Sequence, residues 1–300
     1  MLHFRNNRGS SIIVYCISLT VLLAVSSLVA DFGLMVVEKN RLTNAVDASV
    51  LAGAQELIYH PQQAEAKVRD YIAKNRIDPA SVQIEVNDSR TGLRVRAEKD
   101  VNFFLAPVLG FHSSTVSATA SAVVLPVSGV TGARPFAIEN QELIFGETYE
   151  LKTGSGVTGN YGPIELGGPG GHVYYNNIVN GFSGRLFVGD HIDTEPGNMS
   201  GPTEQGIETL LMNCSHYPAC TSDDFEPDCP RVITVVIVDS LNVNGRATVE
   251  VVGFASFFLE GVAGSGNLSI VTGKFIRSVT SGEVSETQND YGLYGVKLME

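Results

Sequence analysis

Two groups of side chains in this sequence have the residue types and spacing to do chemistry, and both lie in its C-terminal half. The first is the segment Gly189–Met199, where Asp190, Asp193, Glu195 and Asn198 offer the hard oxygen donors that suit Ca²⁺. Their spacing is not that of an EF-hand loop, whose ligands alternate and end on a distant glutamate. His191 stands beside Asp190 and Asp193 and is of the type that serves as a general base when held near a nucleophile. The second group is Cys214, Cys220 and Cys229 with His216. A zinc site usually pairs its cysteines as Cys-x2–4-Cys, and Cys-x5-Cys-x8-Cys departs from that. One disulfide among the three cysteines is therefore expected, closing a loop of about 15 residues for roughly 3 kcal/mol and leaving one thiol over.

Two further matches fail on their own terms. Asp239-Ser240-Leu241 follows an apolar run as an Asp-x-Ser-x-Ser metal site would, but Leu241 occupies the place of the first serine. Gly264-Ser265-Gly266 and Gly273-Lys274 lack the Gly-x4-Gly-Lys spacing of a phosphate loop. Neither a Gly-x-Ser-x-Gly elbow nor a zinc-helix motif is present. The expectation is no catalytic residue and no cofactor, with Ca²⁺ at the acidic loop as the alternative.

These residues must be positioned by a β-rich domain. Beyond Val127 the pattern predicts short strands at Pro135–Ile138, Glu147–Lys152, Arg185–Val188, Arg231–Asp239, Arg246–Glu260 and Leu268–Thr280, separated by glycine-rich turns. Val232–Val238 is apolar throughout, as in a central strand covered on both faces. Helices are expected at Val173–Val179 and Thr203–Asn213, the second capped by Ser200 with Pro202 in its first turn. Residues 127–134, rich in glycine and serine, read as a linker.

The N-terminal half is different in kind. Ile12 to Ala30 carries no charge, and nineteen residues of helix cover about 29 Å, one hydrocarbon core. This span exceeds the h-region of about 7–15 residues of a cleaved signal peptide, so a retained anchor is expected. The helical pattern continues to Pro61 through a stripe of mostly small residues, Leu42, Ala45, Ser49, Ala52 and Gly53, with Asp47 the charge within it. Small residues let helices approach closely, so this stripe is expected to pack against another helix in an assembly. A second helix over Ala64–Asn75, strands at Val82–Val86 and Leu93–Glu98, an apolar helix or turn over Phe103–Phe111 and a strand at Thr115–Leu125 complete a small α+β domain.

The charge is divided along the same lines. Residues 1–30 hold two basic and no acidic side chains, residues 31–129 ten against eleven, and residues 130–300 eight against twenty-one, which together make the net −12. Acidity on this scale argues against nucleic acid as a partner.

Arg8-Gly9-Ser10, the apolar span, Asp31-Phe32-Gly33 and the run Arg41–Ala54 resemble, in that order, the N-terminal segment of the TadE/TadG-like Flp (Tad) pilus-assembly family, over about residues 6–58. Val46, Ser49 and Val50 stand where that family usually has alanine. Type IV-like prepilins are cut after a glycine and carry a glutamate five residues on; after Gly9 that position is Val14, which favours an uncleaved accessory over a major pilin. The resemblance implies a bacterial, single-pass membrane protein acting with pilus or secretion-assembly proteins, as a homo- or hetero-oligomer through its N-terminal helix. The expected fold class is α+β: a cytoplasmic tail (1–11), a transmembrane helix (12–30), a pilin-like α+β domain (31–126), the linker (127–134) and an acidic, extracytoplasmic β-rich domain (135–300). The alternatives are a ligand- or Ca²⁺-binding adhesin module on an anchor, and a membrane-tethered extracellular hydrolase.

Overall fold

The computed structural model describes residues 8–152, 161–195, 199–241, 246–263 and 269–299. Asn198 and the Gly264–Gly266 stretch, both singled out above, lie outside the described residues. The fold is α+β with a β-rich C-terminal region, and the chain divides into two compact units. Unit 1 comprises Met1–Glu56, Gln62–Ala122 and Leu298–Glu300; unit 2 comprises Leu57–Pro61 and Val123–Lys297.

Unit 1 is organised on a single helix. α1 runs from Arg8 to Tyr59, 52 residues without a break, because no proline interrupts it before Pro61. Its side chains from Ile12 to Val29 are overwhelmingly exposed, whereas Leu42, Ala45, Val46, Ser49, Val50, Ala52, Gly53 and Ala54 are buried. α2 (Ala64–Lys74) buries Ala64, Val68 and Ile72, one face at helical spacing. β1 (Val82–Val86) pairs antiparallel with β2 (Gly92–Asn102), Val82 opposite Ala97 and Val86 opposite Leu93. β3 (Ser113–Thr131) follows as β2's other neighbour.

β2 runs back along α1. A Cβ on Gly53 would lie 2.7 Å from Cδ2 of Leu93. Further down, Lys99 Nζ lies 2.6 Å from Glu38 Oε2, and at the foot the backbone of Phe104–Ala106 reaches Asp31. The twenty-two residues from Asp31 to Gly53 rise about 33 Å, and the eleven from Leu93 to Phe104, nearly all in β2, about 36 Å when extended, so the two segments stay in step.

The expected linker over 127–134 is not a linker. Residues 127–131 are the second half of β3, a 19-residue strand, and the boundary between the units falls inside that strand, between Ala122 and Val123. The glycine and serine that suggested a hinge are accommodated in the ladder: Gly129 pairs with Phe187, and a Cβ there would collide with the Phe187 ring.

In unit 2, the second half of β3 pairs with β7 (Arg185–Phe187) and β13 (Glu283–Val284). β12 (Ser278–Val279) pairs in parallel with β14 (Leu293–Met299). The main sheet has the order β5-β11-β10-β9-β4-β6, with β8 added on β10. Its strands are β4 (Phe136–Glu139), β5 (Thr148–Lys152), β6 (Tyr161–Pro163), β8 (His191–Asp193), β9 (Val232–Val238), β10 (Thr248–Ala263) and β11 (Ile270–Ile276). β9 lies parallel to β4 and antiparallel to β10, inside the sheet, as its continuous apolar run predicts. Its alternate residues feed two cores. Ile233, Val235 and Ile237 pack with Tyr174, Ile178, Ile207 and Leu210 of α3 (Gly171–Asn180) and α4 (Ser200–Met212), while Val236 and Val238 pack with Ile164, Leu186 and Ile192. α4 starts at Ser200 itself, with Met199 at the cap position and no side-chain capping bond, so Ser200 is not the cap expected.

Gly53 tests how tightly α1 is seated. Alanine gains about 1 kcal/mol over glycine in a helix interior, but overpacking a filled core costs about 1–3 kcal/mol. Here the new methyl would meet Val68 and Leu93 and lie 3.2 Å from the Ala64 carbonyl oxygen. Gly53→Ala is expected to destabilise the protein by about 1 kcal/mol in denaturant unfolding of the detergent-solubilised chain. Gln55→Ala, on the exposed side of the same turn, should be neutral or slightly stabilising.

Candidate functional site

The end of unit 1 next to the apolar span is built around one carboxylate. Asp31 is the first charged residue after the apolar span, and it is 4% exposed. Its Oδ1 accepts the backbone N–H of Phe104 at 2.8 Å, and its Oδ2 accepts those of Leu105 at 3.1 Å and Ala106 at 2.6 Å. These are the orphan donors at the start of the short 3₁₀ turn Ala106–Leu109, so Asp31 caps that turn from a distant helix. Ser27, one turn earlier on the same face and within the span, is also buried. The loop 103–111 is closed by the Phe103 N–H donating to the His112 carbonyl at 2.9 Å and by the Thr115 hydroxyl donating to Asp100 at 2.6 Å. The loop points large apolar side chains outward: Phe104 is 81%, Val108 89% and Phe111 66% exposed. Sequence reasoning placed a turn here but not this contact; nine successive uncharged residues between two alternating strands were the signal.

Above this collar a polar seam fastens α1 to the sheet. Glu38 bridges Lys99 of β2 and Arg41 of its own helix, at 2.6 Å and 2.7 Å. The Lys39 ammonium donates to the Ser117 carbonyl. In α2, Lys67 pairs with Glu56 at 2.9 Å, and that hydrogen bond raises the Lys67 pKa.

The small-residue stripe does not serve as predicted. Leu42, Ala45, Ser49, Ala52 and Gly53 are buried inside unit 1, and Gly53 closes onto α2 and β2. The stripe is consumed by the protein's own fold, because small residues admit α2 and β2 as readily as a second chain. Asp47 lies at its margin, half-buried.

The acidic loop of unit 2 disperses rather than converges. Asp190 Oδ2 accepts the Phe187 N–H at 2.8 Å. Asp193 Oδ1 accepts the Thr248 hydroxyl at 2.7 Å, and its Oδ2 faces Arg246, which also pairs with Glu165. The buried Glu195 accepts the Gly170 N–H at 3.0 Å. His191 is exposed on β8, opposite Glu250. Each described carboxylate here is committed to a different segment.

The cysteines behave in the opposite way. Cys214 follows α4, and Cys220 and Cys229 precede β9, in a stretch over 213–231 without helix or strand. Their three Sγ atoms and one ring nitrogen of His216 all lie within 4.8 Å of one another. Cys214 and Cys229 Sγ are 3.5 Å apart, and His216 Nδ1 lies 3.4 Å from Cys220 Sγ and 3.9 Å from Cys214 Sγ. All are free thiols, so the expected disulfide is not formed: three sulfurs and an imidazole share one centre. Cys16 is exposed on the span. Burial pushes the Cys214 thiol up, but hydrogen bonds from His216, Cys229 and the backbone N–H groups of Cys220 and His216 outweigh it and hold it at about 6. Burial carries Cys229 the other way, to about 12. His216 is raised, chiefly by its hydrogen bond to Cys214. The spacing Cys-x-His-x3-Cys-x8-Cys hid this group, since no two cysteines are near neighbours in sequence; four donor residues within sixteen positions were the signal.

Among curated proteins and among solved structures, none matches this chain. The α1 helix is long and apolar enough to cross a membrane, and it is this element that the family comparison picks out: residues 9–56 match the model of the Flp pilus-assembly TadE/G-like family.

Proposed function

We propose that this protein is a bacterial, membrane-anchored structural or accessory component of Tad/Flp pilus assembly, acting through protein–protein contacts rather than turnover. The observation that carries the reading is that the family match, residues 9–56, coincides with α1, from the apolar span to the residues that seat it in unit 1. Arg5 and Arg8 precede the span and the large acidic unit follows it, which supports a cytoplasmic N-terminus and an extracytoplasmic pilin-like domain and C-terminal half. With the small-residue stripe buried, the surface of α1 left for partners is the exposed apolar span itself. Helix packing within the membrane is the mode of contact such a surface supports.

The reading is tested by replacing residues 12–30 with an unrelated apolar span of equal length in a strain that builds Flp pili. Membrane fractionation should be unchanged, while surface pili and co-purification with the assembly platform are lost. Normal piliation in a strain lacking the protein altogether would sink the assembly role.

The collar belongs to the same reading. Asp31 holds loop 103–111 where α1 leaves the span, so Phe104, Val108 and Phe111 face the lipid headgroup and acyl boundary, a second membrane contact beside the helix. The chain has no tryptophan, so a single one reports cleanly. Phe104→Trp in nanodiscs with brominated lipid is expected to be strongly quenched. Ser89→Trp is expected to escape quenching, because it sits in the β1–β2 turn, a strand length of about 36 Å away. Adding Asp31→Ala should release the loop and relieve the quenching at position 104. Equal quenching at both positions would contradict the collar.

A further inference from the structure

We propose that Cys214, His216, Cys220 and Cys229 form a tetrahedral zinc site that fastens the end of α4 to the start of β9. Four ligands around Zn²⁺, with Zn–S of about 2.3 Å and Zn–N of about 2.0 Å, define a tetrahedron whose edges are about 3.5–3.8 Å. Three of the six separations, 3.5 Å between two sulfurs and 3.4 Å and 3.9 Å from imidazole to sulfur, lie close to such edges, and all six fall within 4.8 Å. Three thiolates and one imidazole form a closed structural set for zinc, and soft sulfur ligands in this geometry disfavour Mg²⁺ and Ca²⁺.

The surroundings are those of a metal site. His216 turns Nδ1 to the sulfurs and Nε2 to Asp228, whose Oδ1 is 3.3 Å away, the carboxylate–histidine arrangement that orients a metal-bound imidazole. Arg231 closes the group from behind: Nη1 donates to the Cys220 carbonyl at 2.9 Å, Nε to the Leu259 carbonyl at 2.9 Å, and the guanidinium lies 4.5 Å over the Phe258 ring.

The loop needs such a centre. Residues 213–231 form nineteen positions without helix or strand, longer than an unstapled loop in a compact domain usually runs. Its apolar contribution is small: Cys220 and Cys229 pack with Phe258 and Ile276, and Phe225 covers them. Phe225 also receives the last turn of α1, with the Tyr59 ring edge-on at 6.0 Å, and the Tyr59 hydroxyl accepts the Val279 N–H at 3.0 Å. The zinc clasp would therefore fix the surface on which the end of α1 rests within unit 2.

The test uses the full chain, purified in detergent without chelator. Elemental analysis should find one zinc per chain, and Co²⁺ exchange should give the intense d–d bands and thiolate charge transfer of a tetrahedral site. Cys220→Ser and Cys229→Ser should each lose the stoichiometric metal, and Asp228→Asn should weaken zinc affinity about 10-fold. Because a ligand variant can misfold, the wild-type protein is also stripped with a strong chelator. Proteolysis within 213–231 should rise on stripping and fall again on return of Zn²⁺. Absence of stoichiometric zinc after incubation and desalting would overturn the proposal. So would a disulfide between any two of Cys214, Cys220 and Cys229 in non-reducing peptide maps, or zinc retained by both serine variants.

Discussion

An α-helix rises about 1.5 Å per residue and a strand about 3.3 Å, so a strand lying along a helix needs about half as many residues to cover it. Unit 1 is laid out on that ratio. Between the contact of Gly53 with Leu93 and that of Asp31 with Phe104, α1 spends twenty-two residues and the chain of β2 and its exit eleven. The strand therefore arrives opposite Asp31, the first charge after the apolar span, when the chain must turn. The first N–H groups of that turn have no partner within it and need acceptors. Asp31 supplies them, so the first charge after the apolar span works as a hydrogen-bond acceptor for the loop as well as a marker of where the span stops.

The sequence of the same helix changes character along its length. Over the span the side chains are uncharged in every direction, the pattern of a helix able to cross a membrane. Beyond Asp31 only one face is apolar, and it is packed with small side chains so that α2 and β2 can close in. The stripe is not spare capacity for a partner. A helix whose inner face is already filled has its span left to offer, and the proposed role puts its partner contacts there.

Much of this organisation was legible in the sequence, and the failures have physical causes. The span, the strands β1 and β2, the central strand β9 and the helices α2, α3 and α4 follow from local periodicity and chain breakers, which act over a few residues. The glycine and serine at 127–134 suggested a hinge, but Gly129 is there because the Phe187 ring lies against the backbone, a contact made by a strand some sixty residues later. Periodicity could show that Leu42 to Gly53 packs against something; it could not show whether that neighbour belongs to the same chain. The collar was hidden for the same reason, because nothing local announces that Asp31 caps a turn seventy-five residues away. The acidic loop misled in the other direction. Clustered carboxylates in sequence were dispersed by the strand pairing of β8, with Asp190, Asp193 and Glu195 each sent to a different backbone or side-chain partner.

The cysteines show why a donor set is better judged by where it converges than by its spacing. A disulfide would use two of three thiols and leave the third beside an imidazole already oriented by Asp228, with no role for either. In an extracytoplasmic compartment, which the proposed topology gives this unit, an unpaired thiol is also the group most exposed to oxidation. A metal accounts for all four donors at once. It would hold Cys214 and its companions as thiolates, gives His216 a reason to face the sulfurs, and leaves no thiol over. It also explains the position of the loop. Unit 2 builds its main sheet from strands that each bury their own side chains, but the segment joining α4 to β9 has few apolar residues with which to hold its course. A centre that draws binding energy from four ligand bonds, rather than from buried area, suits a segment of that composition.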